Sequence, residues 1–200
     1  YKESLYLDVT ARNDWSSTLP INKNSFFYWG VNSAFVVTDA LDLKNSPISF
    51  MKLRLAYGKT GNDAPIYRTS ASFIPTQVGL GFGSVYLPMG GVPGLTESNV
   101  IPNKELKPEI TTEWEIGLTA NFLNNRISFD GAYYNKNTKD QIISAAVAPE
   151  TGYSTRTRNV GKIENQGVEV MLSGSPVKSN DWQWELGVTF TKNWSKVKKL

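Results

Sequence analysis

The chain has 200 residues, 40% of them hydrophobic and 12% aromatic, with a formal net charge of +3. That length and aromatic content suit a folded domain and are wrong for a disordered one. There is no cysteine and no histidine, which excludes disulfides, thiolate catalysis, the usual zinc sites, imidazole metal ligands and Ser-His-Asp chemistry; enzymes built on carboxylates alone remain possible, and no cofactor or metal is expected.

Seven extended segments follow one another, roughly 5–12, 26–38, 50–60, 111–122, 126–137, 162–174 and 182–193. Leu5, Leu7, Val9 and Ala11 alternate with Tyr6, Asp8, Thr10 and Arg12. The second segment has aromatics on both sides, with Phe27, Trp29, Val31, Phe35 and Val37 as the stronger row. Met51, Leu53, Leu55 and Tyr57 alternate with Lys52, Arg54, Ala56 and Gly58. In the fourth, Trp114, Ile116, Leu118, Ala120 and Phe122 oppose Glu113, Glu115, Gly117, Thr119 and Asn121. In the fifth, Ile127, Phe129, Gly131 and Tyr133 oppose Ser128, Asp130, Ala132 and Tyr134. Val168, Val170 and Leu172 then oppose Glu169, Met171 and Ser173. The seventh is the cleanest: Trp182, Trp184, Leu186, Val188 and Phe190 against Gln183, Glu185, Gly187, Thr189 and Thr191.

Successive strand side chains point to opposite faces, so each segment carries an apolar and a polar face. The segments also exceed the five or six residues usual in soluble strands and approach the roughly nine to eleven that cross a bilayer. No stretch has a sustained helical period, and none approaches the ~20 apolar residues of a membrane helix. That says nothing against a barrel, whose strands alternate. The chain opens at Tyr1 without a methionine and is expected to be part of a longer protein.

The connections fall into two classes. Those after the second, fourth and sixth segments are short or moderate (39–49, 123–126 and 175–181), and Asn124 and Asn125 suit a tight turn needing positive φ. Those after the first, third and fifth are long (13–25, 61–110 and 138–161). Antiparallel order gathers the long ones on one rim, as in outer-membrane barrels with short periplasmic turns and long external loops. Within 61–110, residues 67–74 suggest a short added strand, and the glycine- and proline-rich run from Gly79 through Gly94 reads as loop.

Shorter motifs carry little chemistry. Gly79-x-Gly81-x-Gly83 lacks the helix and spacing of a dinucleotide loop. Gly58-Lys59-Thr60 matches only the tail of a phosphate loop, with Leu53 where the first glycine belongs. The basic run 192–199 reads as a solvated strand end or loop, so no nucleic-acid partner is expected. Glu113 and Glu115, with Asp130 on the next strand, have two readings: acids of a glycoside hydrolase, or a charged row lining a water-filled lumen. Trp114, Tyr133, Trp182 and Trp184 stand near the ends of apolar rows, either packing a sandwich core or forming an interfacial belt.

Five stretches then carry a family resemblance. These are Arg12-Asn13-Asp14-Trp15-Ser16-Ser17-Thr18, the block 51–62 (M-K-L-R-L-A-Y-G-K-T-G-N), and Asn103-Lys104-Glu105-Leu106-Lys107-Pro108-Glu109 with Thr111 to Leu118. Tyr133-Tyr134-Asn135-Lys136-Asn137-Thr138-Lys139-Asp140 and the block 159–169 (N-V-G-K-I-E-N-Q-G-V-E) complete the set. In this order they resemble the carboxy-terminal barrel portion of SusC/RagA-type TonB-dependent outer-membrane transporters. Pro108 departs from the family's usual tryptophan.

The resemblance implies an all-β, antiparallel transmembrane β-barrel sector of about seven to nine strands from a 22-stranded barrel. The plug and the TonB-contacting segment would lie outside these residues. It further implies import of glycans or peptides across the outer membrane of a Gram-negative bacterium, with outer-membrane lipid around the wall and a SusD-like lipoprotein over the long loops. On this reading residues 1–200 form one barrel segment without enzymatic activity. Lys52, Arg54, Glu113, Glu115, Asp130 and Glu169 face the lumen, and Tyr67, Phe73, Phe82, Tyr86 and Tyr153 are the candidate substrate-facing loop residues. Two alternatives stay open on the residues alone: a soluble β-sandwich carbohydrate-binding module, whose strands also alternate, and a carboxylate-based glycoside hydrolase.

Overall fold

Strands of eleven to seventeen residues, far longer than a soluble sheet needs, make up one antiparallel seven-stranded sheet. They are β1 (Leu5–Trp15), β2 (Ser25–Val36), β3 (Ile48–Asn62), β4 (Glu109–Phe122), β5 (Ile127–Lys139), β6 (Lys162–Lys178) and β7 (Gln183–Lys199). In the sheet they lie side by side in chain order. The computed structural model describes residues 3–43, 46–75, 77–80, 82–88, 90–179 and 181–200, without the side chains of 77–80 and 86.

Register carries the alternation across the sheet. Leu55 pairs with Ile116, Ile116 with Tyr133, Tyr133 with Val168, and Val168 with Lys192. Ala56 pairs with Glu115, Glu115 with Tyr134, and Tyr134 with Gly167. One face is therefore apolar and the other polar from β3 to β7, while β2 carries aromatics on both, with Phe26 and Tyr28 on the Arg54 side. The apolar row is uncovered: Val188 is 67% exposed and Phe190 56%. A sandwich would bury such a row under a second sheet about 10 Å away, and among the described residues none lies there.

Aromatics punctuate the apolar face. Trp29 and Tyr57 have ring centroids 5.5 Å apart, and Trp114 and Tyr133 are 5.3 Å apart, so a string of rings runs from β2 to β5. Towards the long connections the same face turns polar. The Tyr133 hydroxyl donates to Gln166 at 2.9 Å, and Lys198 pairs with Glu164 at 2.5 Å. Towards the short connections it ends at Trp182 and Trp184, both exposed.

Several boundaries differ from expectation. Most strands run past the expected ends because ladder pairing continues where the alternation fades; β7 reaches Lys199, so the basic run is strand. The second strand instead stops at Val36, and Val37–Ala40 forms a single helical turn. The expected strand over 67–74 starts only at Phe73, where pairing with Glu97 begins, and Tyr67 lies at φ 58, outside the extended region. The run from Gly79 to Gly83, read as loop, lies in a hairpin pairing Gln77–Leu80 with Gly83–Tyr86, while Gly81 is outside the described residues. The 138–161 connection also contains paired strands, Ile142–Ala146 and Thr155–Asn159. In the 123–126 turn not only Asn124 (φ 56) and Asn125 (φ 62) but also Leu123 (φ 54) is left-handed, which a leucine gives no sign of in sequence.

Among the described residues one small buried cluster, Leu19, Ala64 and Leu106 with Phe26 and Ile142 packed on it, lies where the long connections leave the sheet. It joins residues from all three long connections or their flanking strands.

Candidate functional site

The polar face is organised by two side chains that each cross a whole strand. Arg54 on β3 stands opposite Gly117 on β4, and an added Cβ at Gly117 would come within 2.9 Å of the guanidinium. The missing side chain lets Arg54 pass over β4 and reach Asp130 on β5. There Nη1 donates to Oδ2 at 2.8 Å and Nη2 to Oδ1 at 2.9 Å. Thr119 donates to the same carboxylate at 2.6 Å and itself accepts from Arg54. A bidentate, charge-assisted pair of this kind fixes geometry as well as charge. Tyr134 on β5 repeats the device: it lies over Gly167 on β6, where a Cβ would meet its Cζ at 2.5 Å, and accepts from Asn193 on β7 at 2.9 Å.

Between these crossings lies a polar depression of about 660 Å³ lined by Glu113, Glu115, Lys136, Glu169, Thr191 and Asn193. Of the six residues expected to face a lumen, five line it: Arg54, Glu113, Glu115, Asp130 and Glu169. Lys52 sits two residues before Arg54 on the same row, its Nζ 6.0 Å from the Phe50 ring centroid. Asp130, offered as a hydrolase carboxylate, has both oxygens engaged by Arg54. A general acid or base needs an oxygen free to meet its proton, and this one is committed elsewhere.

Of the candidate loop residues, Tyr67, Phe73, Phe82 and Tyr86 belong to the 61–110 connection and Tyr153 to 138–161, and Phe73 pairs with Glu97 in the strand ladder. Tyr67 and Phe73 are exposed, and Phe82 is 93% exposed at the tip of the Gln77–Tyr86 hairpin. The side chain of Tyr86 lies outside the described residues. Tyr153 donates to Glu97 at 2.9 Å, joining two long connections, and that carboxylate holds the phenol above its ordinary pKa.

What the sequence did not reveal is how tightly the bases of the long connections are fastened. Asp63 accepts from Ser16 at 2.5 Å and from Thr18 at 3.3 Å. Lys23 pairs with Glu105 at 2.5 Å and holds that carboxylate below its ordinary pKa. Asn159 accepts from the Lys107 amide at 3.0 Å and donates to the carbonyls of Lys107 at 2.7 Å and Asp140 at 2.8 Å. Glu109 accepts from the Ile142 amide at 2.6 Å, and Lys107 pairs with Asp140 at 2.9 Å. These residues fall largely in the blocks that carried the family resemblance, so the motifs mark the clamp and not the loop tips.

A family model described as TonB dependent receptor-like, beta-barrel, matches residues 1–198. The chain belongs to this family. TonB-dependent receptor P26 of Formosa agariphila is 28% identical over 203 residues, covering all of this chain and 20% of that protein. TonB-dependent receptor SusC of Bacteroides thetaiotaomicron is 31% identical over 154 residues, covering 76% of this chain and 15% of that protein. Among solved structures, the RagAB peptide transporter superposes with a TM-score of 0.84 at 27% identity over 99% of this chain and 21% of that one. The siderophore receptor PirA of Pseudomonas aeruginosa, at 15% identity and a TM-score of 0.60, shows the fold alone.

The chain thus spans about a fifth of the length of the first relatives it matches. It is a transmembrane β-barrel sector of SusC/RagA type. Its family is one of outer-membrane transporters of Gram-negative bacteria, not of enzymes.

Proposed function

We propose that this chain forms wall and external-loop surface of an importer in the outer membrane, energised through TonB by segments outside these residues. The carrying observation is the division of one sheet into an uncovered apolar face and a charged face, with every long connection on the same rim. The apolar face meets lipid. From Trp184 to Trp194, β7 is about 33 Å long at ~3.3 Å per residue, and a ~40° tilt makes that about 25 Å of bilayer normal, the height of an outer-membrane apolar band. Lys192, on the apolar row just short of Trp194, lifts its ammonium to 5.2 Å from that ring, as a snorkelling lysine does at an interface.

The polar face, with Lys52, Arg54, Glu113, Glu115, Asp130 and Glu169, borders the lumen. The long connections face outward, where a SusD-like lipoprotein and the substrate, a glycan or a peptide, would meet them. Exposed Tyr67, Phe73 and Phe82 offer stacking or apolar contacts of the kind both substrates use. Residues 1–200 act as one unit of the wall and carry no covalent chemistry.

The test is uptake by cells carrying the full-length transporter, with labelled oligosaccharide or peptide pools offered separately. Uptake of one pool that disappears both without TonB and on deletion of the 77–86 hairpin supports the proposal. Uptake indifferent to TonB overturns it.

A further inference from the structure

Near the short-connection rim the apolar face is not smooth. β6 slips its register against β7 between Gly174 and Val177, where Pro176 has no amide to give to the ladder. The slip opens a groove of about 410 Å³ walled by Leu123, Ile127, Leu172, Leu186 and Val188. Gly174 is part of its lining, and a Cβ there would stand 3.3 Å from the Arg126 carbonyl. The volume falls within the range of small-ligand sites, and the lining is hydrocarbon except where Arg126, Ser173 and Ser175 border it.

Arg126 is exposed, and among the described residues no carboxylate lies within ion-pair distance of it. Leu123, also at the rim, is 52% exposed for so large an apolar side chain. An apolar channel beside a bare guanidinium matches an amphiphile with an anionic head. A guanidinium fork suits phosphate oxygens in particular. The groove opens on the lipid-facing side of the wall, so its occupant arrives from the bilayer.

We propose that this groove seats an acyl chain of a glycerophospholipid of the periplasmic leaflet, with the phosphate held by Arg126. The leaflet assignment rests on the orientation given above; the binding chemistry does not. The site would fix a lipid to the wall at the β5–β6–β7 junction and cover Leu123 and Leu172.

The experiment is native mass spectrometry of the full-length transporter in mild detergent, titrated with phosphatidylglycerol. Arg126→Gln and Leu172→Trp are compared with the parent, and inorganic phosphate is the competitor. One saturable lipid is expected, with affinity falling by roughly tenfold or more in Arg126→Gln, the loss of a charge-assisted hydrogen bond. Leu172→Trp, which fills the groove from an exposed position, should abolish it, while phosphate alone should displace nothing. Equal lipid occupancy in parent and both variants, each still heat-modifiable as a folded barrel, overturns the proposal. Orientation is read separately: Asp181→Cys should react with an impermeant maleimide only in permeabilised cells. Labelling in intact cells would overturn the leaflet and leave the groove's chemistry standing.

Discussion

Arg54 holds Asp130 from two strands away, through a gap that Gly117 leaves in the strand between them. Gly117→Val should therefore cost about 1–3 kcal/mol by overpacking. Asp130→Ala should cost only about 1 kcal/mol, because both partners retain solvent contact. Urea unfolding of the full-length barrel in lipid vesicles measures both, and a Gly117→Val as stable as its parent would remove the gap's role.

The facing of the wall has a sharper test in two adjacent residues of β7. Val188→Arg, on the apolar row, should cost roughly 2–4 kcal/mol near mid-bilayer, whereas Thr189→Arg should be close to neutral. Folding yields into vesicles report the difference. Equal losses at both positions would mean the sheet is not two-faced in the membrane.

Lys23 and Glu105 make the base of two long connections sensitive to pH. The folded pKa of Glu105 lies below its unfolded value because the Lys23 ammonium is hydrogen-bonded to it. The stabilisation is then complete above the ordinary glutamate value of about 4.3 and is lost as pH falls through the lowered folded value. Hydrogen exchange around residues 103–107 should quicken over that window, and Glu105→Gln should flatten the dependence. High salt should weaken it wherever Glu105 is ionised, since the pair is exposed.

Asn159 makes three hydrogen bonds to the backbone of two other segments. At about 0.5–1.5 kcal/mol net for each bond, Asn159→Ala should lower the local opening free energy by about 2 kcal/mol. Exchange of the Lys107 amide, which Asn159 accepts directly, is the measurement. Unchanged protection would show that the clamp is held elsewhere.

The strands were legible because the alternation Trp184–Leu186–Val188–Phe190 is a local pattern with a single physical meaning. The common rim of the long connections followed from loop lengths, and the charged row from the same period. The loops were not legible. Whether Gly79 sits in a hairpin depends on pairing with Ser84, and glycine advertises neither strand nor turn. Nor does a sequence show that Asp130 is engaged by Arg54, since the two are 76 positions apart and the decisive residue between them is one with no side chain. Leu123 in a left-handed turn is a case where tertiary context overrides what the residue prefers.

Tyr134 over Gly167 and Arg54 over Gly117 also answer a question of assembly. A one-residue slip between neighbouring strands flips every side chain to the wrong face and is heavily penalised. A two-residue slip keeps each face intact, and alternation alone is blind to it. The glycines are not. Shifted by two, Arg54 would lie against Glu115 or Thr119, and Tyr134 against Asn165 or Glu169, with no gap to cross. The two glycines thus act as keys cut for one register, letting long, repetitive staves join in a single alignment.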